Sequence, residues 1–270
     1  MQLQRGQVAV ITGAASGIGR AIAAAFATEG LDLVLSDVDA RALAEAATEL
    51  AATGVATLEA VADVRDAEAV EGVAAAALER FGRFDVVVNN AGVSAGYGPL
   101  WEVPADELRW ILEVDLFGVL HGIRAFVPHL VQRGSGHVVN ISSLAGVAVI
   151  PFNGPYNTAK QGVIAASETL RAELAQLAPG VGVTVVCPGR VATRIGDAAR
   201  SRPHADPAAP THLPSAPPDD SAIIIPAEDA AAIVVAGIRN DHFLIGTHQG
   251  VIDNGRARYA ALRDEIVLPA

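Results

Sequence analysis

The feature that most constrains this chain is the junction between Val8–Ile11 and the residues Thr12-Gly13-Ala14-Ala15-Ser16-Gly17-Ile18-Gly19. An apolar run of strand length stops at a cluster of glycines, and a helical pattern, Ile18–Glu29, starts inside that cluster. Such a turn lets a ligand approach the backbone closely. It also offers the free N–H groups and positive dipole end of a helix, which suits a pyrophosphate. The spacing is Gly-x-x-x-Gly-x-Gly, and glycines so placed can also serve only to make the turn.

The rest of the chain repeats the same alternation. Strand-like runs at Leu31–Leu35, Thr57–Ala62, Val86–Val88, His137–Ile141, Val181–Val186 and Phe243–Ile245 are separated by helical stretches. Those stretches are Arg41–Ala52, Ala67–Arg80, a helix opened by Pro104 and running toward Leu130, Tyr156–Leu177 and Ala227–Ile238, with one more helix between Gly250 and Glu265. Pro128 is expected to disturb the end of the Pro104 helix. The pattern predicts an α/β fold: a doubly wound parallel sheet of about seven strands with helices on both faces. Neither an internal repeat nor a second-domain linker is visible, so residues 1–270 read as one domain. Arg194–Pro226 breaks the rhythm with Pro, Ala, Asp and Ser, and a loop of that length is expected to act as a substrate-binding lid.

A formal net charge of −11 argues against general affinity for nucleic-acid phosphates or anionic membranes. Cys187, the sole cysteine, cannot form an intrachain disulfide and reads as a small core residue. Neither a secretory signal nor an apolar stretch of membrane-spanning length is seen, so a cytoplasmic protein is expected. His204, His212 and Asp206 share the long loop, but their spacing is not that of a metal site, and no metal is expected.

Asp37 ends the second strand. A carboxylate there can accept hydrogen bonds from an adenosine ribose and would repel a 2′-phosphate. Val38 follows it, and no lysine or arginine lies within Gly13–Gly19, so charge favours NAD over NADP. Asp39 can cap the next helix by itself, leaving Asp37 for the ribose.

Tyr156 and Lys160 lie one helical turn apart and share a face. An ammonium beside a phenol lowers the phenol's pKa from about 10, which allows proton exchange with an alcohol or carbonyl oxygen near neutral pH. Ser143, just past the fifth strand, can hold that oxygen. Val147, Val149, Ile150 and Phe152 suit either a substrate pocket or the core.

With Thr12–Gly19, Asp63-Val64, Asn89-Asn90-Ala91-Gly92, Asn140-Ile141-Ser142-Ser143, Tyr156-x-x-x-Lys160 and Pro188-Gly189-x-Val191-x-Thr193 in this order, the chain resembles the short-chain dehydrogenase/reductase family over almost its whole length. The resemblance implies a Rossmann fold and NAD-dependent chemistry on CH–OH groups of a small-molecule alcohol or ketone. It implies Tyr156 as acid/base, Lys160 as nicotinamide-ribose ligand and tuner of Tyr156, and Ser143 as the residue that orients the substrate oxygen. Family spacing puts the serine 13 residues before the tyrosine (156 − 143 = 13), which excludes Ser142. Gly13, Ser16, Gly17, Ile18 and Gly19 would hold the pyrophosphate, and Asp63 and Val64 would border the adenine. Asn90, Ala91 and Gly92 would pass near the cofactor ribose, and Val191 and Thr193 would hold the carboxamide. Asp115 stands at the fourth catalytic position, where the family has asparagine and the helix bends. The family also implies a homotetramer, with a dimer second, built on the helices of Pro104–Leu130 and Tyr156–Leu177. Two other readings are an NADPH-preferring carbonyl reductase and a non-catalytic NAD-binding regulatory protein.

Overall fold

The computed structural model describes residues 1–94, 98–195 and 223–266. Seven parallel strands form one sheet: β1 (Val8–Thr12), β2 (Asp32–Asp37), β3 (Thr57–Val61), β4 (Val86–Asn89), β5 (Gly136–Ile141), β6 (Val181–Cys187) and β7 (Leu244–Gly246). Their order is β3-β2-β1-β4-β5-β6-β7. The chain winds outward from β1 in one direction and then, from β4 on, in the other. The crevice at the carboxyl ends of β1 and β4 is therefore the topological switch point, where folds of this kind bind ligands.

Both faces of the sheet are covered. Val8 and Val10 of β1 enter one core, with Val87, Val138, Phe126 and Leu130. The alternate residues Ala9 and Ile11 enter the other, with Val86, Val88, Ile22 and Phe26. Helices α1 (Gly17–Thr28), α2 (Ala40–Ala51) and α8 (Ala227–Arg239) cover the second face. Helices α3 (Ala67–Phe81), α4 (Ala105–Leu112), α5 (Gly118–Arg133) and α7 (Gly154–Leu177) cover the first. Two-sided burial explains why these strands read as continuous apolar runs without alternation.

The stretch expected as one helix from Pro104 is two helices, α4 and α5, joined by a π turn at Glu113–Phe117. Here the Gly118 N–H reaches back to the Glu113 carbonyl. Pro128 does not end the helix, which continues to Arg133. A proline removes one backbone bond; burial of Phe126, Val127 and Leu130 on the same helix outweighs that loss. Two short elements were not anticipated: the 3-10 turn Leu100–Glu102 and the helix α6 (Leu144–Val147). The last helix, α9 (Gln249–Glu265), packs on α6 through Gly255 and Val147. Among the described residues no helix is long and apolar enough to cross a membrane.

Candidate active site

A cleft of about 470 Å³ opens at the switch point. Of the catalytic and cofactor-binding residues that the resemblance implies, all but Gly19 and Asp115 line it; those two support it from behind.

The glycine turn is stapled to the end of β4. Asn90 Nδ2 donates to the carbonyls of Thr12 (2.8 Å) and Gly13 (3.2 Å), and the N–H groups of Asn90 and Ala91 donate to Thr12 Oγ1. Gly19 has no room for a side chain, because a Cβ there would run into the Gly13 carbonyl oxygen and Asn90 Nδ2. Gly17 adopts φ +56°, and a Cβ on it would lie 3.2 Å from Thr193 Cγ2. The turn thus meets the segment after β6 across the cleft. No side chain caps the first turn of α1, so its N-terminus is left for a ligand. This cradle fits a pyrophosphate.

Asp37 accepts hydrogen bonds from the Ala15 N–H (3.0 Å) and the Asp39 N–H (3.0 Å), which orient its carboxylate at the cleft wall. Asp39 caps α2 through the Ala42 N–H, so the two aspartates divide the work as expected. Asp63 is gripped by Arg65 Nε at 3.0 and 2.9 Å. Burial works to raise its pKa, but the bonds and charge of Arg65 outweigh this and hold it below the usual carboxylate range. Arg65 also lines the cleft and was not singled out from the sequence, where a lone arginine carries no signal.

At the other end, Ser143 caps α6, its Oγ accepting from the Ala145 N–H (3.2 Å). Ser142 points elsewhere: its Oγ donates to the Lys160 carbonyl (2.7 Å) beneath the site. Lys160 is buried. Its Nζ donates to the Ile141 carbonyl (3.3 Å), lies 5.5 Å from the centre of the Tyr156 ring, and lies 3.4 Å from Asp115 Oδ2. Asp115 is brought there by the π turn, and its Oδ1 accepts the Val93 N–H (2.7 Å). Burial tends to lower the Lys160 pKa, but the charges of Asp115 and Tyr156 and the Asp115 contact together outweigh it and keep the ammonium protonated beyond the usual lysine range; burial also pushes the Asp115 carboxyl above the usual carboxylate range, against the pull of Lys160 and the Val93 N–H.

Of the four apolar candidates, Ile150 lines the cleft, Val147 is core, and Val149 and Phe152 are exposed. Asn153 and Trp110 line the cleft without having been singled out. For Asn153 a signal existed, since it precedes Tyr156 by three positions and so shares its helix face. Cys187 is a core residue whose thiol is pushed up to about 12 by burial. His204, Asp206, His212 and most of the 194–226 segment lie outside the described residues. The described flanks meet at the cleft: Val191 pairs with Ile225, and Arg194 and Ile195 line the wall. Among the described residues no three His, Cys, Asp or Glu side chains gather as a metal site.

A family model described as short chain dehydrogenase matches residues 7–204. A probable oxidoreductase, EphD, of Mycobacterium tuberculosis is 45% identical over 186 residues, 68% of this chain and 31% of that protein. The chain therefore spans about a third of the length of that relative. The 1-deoxy-11-beta-hydroxypentalenate dehydrogenase of Streptomyces exfoliatus is 43% identical over 195 residues, 72% of this chain and 70% of that one. The crystal structure of a short-chain dehydrogenase/reductase from Burkholderia phymatum in complex with NAD superposes with a TM-score of 0.89 at 35% identity, covering 100% of this chain and 99% of the other. That likeness extends over α8 and α9, which the family match does not reach.

Proposed function

The chain belongs to the short-chain dehydrogenase/reductase family of oxidoreductases, and we propose that it moves a hydride between NAD(H) and a secondary alcohol or ketone on a hydrophobic small molecule. The observation that carries this reading is the buried Lys160 ammonium, fixed by Asp115 at 3.4 Å and set under the Tyr156 ring.

When bound, NAD accepts a hydride from the alcohol carbon or, reduced, returns it to the carbonyl carbon. The backbone of Gly13, Ser16, Gly17, Ile18 and Gly19 would hold the pyrophosphate, and Asp37 would accept from the adenosine ribose. Asp63 and Val64 would border the adenine, Asn90, Ala91 and Gly92 the inner ribose, and Val191 and Thr193 the carboxamide. The preference for NAD is supported by the oriented Asp37 carboxylate beside Val38 and by the NAD complex of the Burkholderia phymatum protein. Ser143 Oγ would orient the substrate oxygen. Tyr156 would take the hydroxyl proton in oxidation and return it in reduction, because the nearby ammonium favours its phenolate. Lys160 would also bind the nicotinamide ribose. Asp115 touches none of the reacting atoms and acts as a positioning residue for Lys160.

The test is NADH formation from a panel of hydrophobic secondary alcohols, with Tyr156→Phe alongside. That variant should lose turnover on the order of 10²-fold or more and keep NADH binding. Absence of turnover in the unmodified protein, or near-normal turnover in Tyr156→Phe, would overturn the reading. For assembly, the family points to a homotetramer with a dimer second; a monomer by light scattering at micromolar concentration would contradict both. The 194–226 segment is proposed as a lid because it leaves and re-enters the fold at the cleft. Hydrogen exchange there that does not respond to NAD and substrate would argue for a passive insertion.

A further inference from the structure

Asn153 is 3% exposed and lines the same cleft as Tyr156. Its backbone is fixed on both sides: its N–H donates to the Ile150 carbonyl (3.3 Å), its carbonyl accepts the Asn157 N–H (2.9 Å), and it pairs with Gly98. It stands at the position before α7 where asparagine usually caps a helix, yet its side chain makes no capping bond. Among the described residues its carboxamide has no hydrogen-bonding partner. A nearly buried amide normally has one.

The same cleft carries the apolar side chains of Leu144, Ile150, Val93 and Trp110. Its polar atoms are not among the fully enclosed ones without a partner, so the amide faces the open cleft, where a polar group of a ligand can take the place of water on it. Because Asn153 and Tyr156 are three residues apart at the start of one helix, what the amide meets lies close to the oxygen that Tyr156 would hold. An amide offers both a donor and an acceptor but no charge. It therefore suits a neutral oxygen better than a carboxylate, which calls for a cation.

We propose that Asn153 is a specificity-determining residue that binds a second, neutral oxygen of the substrate. The substrate is then an apolar secondary alcohol or ketone with a hydroxyl or carbonyl near the reacting carbon. This inference rests on the oxidoreductase reading above. It also says which member of a related pair of substrates the enzyme prefers.

The experiment uses matched cyclic secondary alcohols with and without a second hydroxyl on the neighbouring carbon. Two quantities are measured: kcat/KM with NAD, and calorimetric binding of each alcohol to the NADH-loaded protein, a complex that cannot react. The unmodified protein should favour the diols about tenfold or more, as expected for one buried hydrogen bond. Asn153→Leu should abolish that preference while still oxidising the simple alcohols, and Asn153→Ser, which puts a hydroxyl in place of the amide, should restore part of it. Continued oxidation of the simple alcohols shows that Asn153→Leu is folded. An unchanged diol preference in Asn153→Leu overturns the inference and leaves the oxidoreductase reading intact. Weakened NADH binding with an unchanged ratio overturns it too, by moving Asn153 to the cofactor. Turnover of neither alcohol by the unmodified protein overturns both.

Discussion

Asp115 Oδ2 lies 3.4 Å from Lys160 Nζ, and the two side chains are 0% and 3% exposed. This direct pair stands where the family has an asparagine. Two features produce it. The π turn at Glu113–Phe117 carries Asp115 inward, and the Val93 N–H fixes one carboxylate oxygen so that the other faces the ammonium. Oδ2 has no hydrogen bond of its own, so its contact with Lys160 is an ion pair of imperfect direction. The carboxylate thereby links the loop after β4 to the lysine under Tyr156.

Asp115→Asn is expected to stay active with a shifted pH profile. The amide oxygen can still accept from Val93, but the charge that holds the Lys160 pKa up is gone. An ammonium without its counter-charge favours the Tyr156 phenolate more strongly, so the acid limb of alcohol oxidation should move to lower pH. Stability has its own sign. A raised lysine pKa contributes stability below the unfolded value of 10.5 and loses it as pH rises through the higher folded value. The variant should lose that contribution at neutral pH, at most about 3–5 kcal/mol for one partner removed from a buried pair, offset in part because the carboxylate it removes is one that burial disfavours. The pH dependence of kcat/KM and urea unfolding check both parts. Complete loss of turnover would give the carboxylate a chemical step of its own.

For the cofactor, Asp37→Ala combined with Val38→Arg should shift preference toward NADP. Removing the carboxylate ends repulsion of a 2′-phosphate, and the guanidinium supplies a partner for it. The structure adds a consequence: the Ala15 N–H loses its acceptor, so the variant should also be less stable by about 1 kcal/mol. Initial rates with each cofactor at equal concentration decide the matter. Faster turnover with NADP in the unmodified protein would mean that Asp37 does not control the choice.

Apolar strand runs, glycine positions and the Tyr156–Lys160 spacing made the sheet and most of the cleft legible in the sequence, because each follows from local periodicity or a local steric need. Residue composition alone does not show the π turn, since nothing in Glu113–Phe117 departs from helical composition; only the family resemblance places a bend at Asp115. It forms because Asp115 finds Val93 and Lys160, partners far away in the chain. Asn153 was overlooked for the converse reason. The sequence pattern starts the helix at Tyr156, which leaves Asn153 outside it; the structure starts the helix at Gly154, puts Asn153 at its cap position three residues before Tyr156, and shows no capping bond from its side chain.

His137 should make the fold acid-sensitive. It is fully buried at the start of β5, and its Nε2–H donates to Thr184 Oγ1 (2.8 Å), whose own proton goes to the His242 carbonyl (2.8 Å). Nδ1 is left bare and without a partner. Burial, aided by the Met1 ammonium and opposed by Asp241, lowers its pKa from 6.5 to about 4. Between those values the unfolded chain binds the proton and the folded one does not, so stability is lost as pH falls below 6.5. By pH 5 the loss should reach about 2 kcal/mol. Urea midpoints at neutral and mildly acidic pH measure it. His137→Gln should flatten the dependence, and an equally steep slope in that variant would place its source elsewhere.

Gly72 and Gly19 differ as helix breaker and spacer. Gly72, exposed in the middle of α3, has nothing within 4 Å of where a Cβ would go. Gly72→Ala should therefore stabilise the protein by about 0.5–1 kcal/mol through helix propensity and leave NADH binding alone. Gly19 is also helical, in the first turn of α1, and propensity alone would predict the same gain. Its Cβ, however, would meet the Gly13 carbonyl oxygen and Asn90 Nδ2. Neither can move freely, since one is backbone and the other is tied to Thr12 and Gly13 at 2.8 and 3.2 Å. Overpacking of this kind costs about 1–3 kcal/mol, more than the propensity gain. The turn must also shift to make room, so Gly19→Ala should be less stable and bind NADH on the order of tenfold more weakly, by the ordinary cost of a displaced hydrogen bond. Thermal unfolding and NADH titration of the two variants side by side give the comparison. Unimpaired NADH binding by Gly19→Ala would show that the contact between this turn and Asn90 does not shape the cofactor cradle.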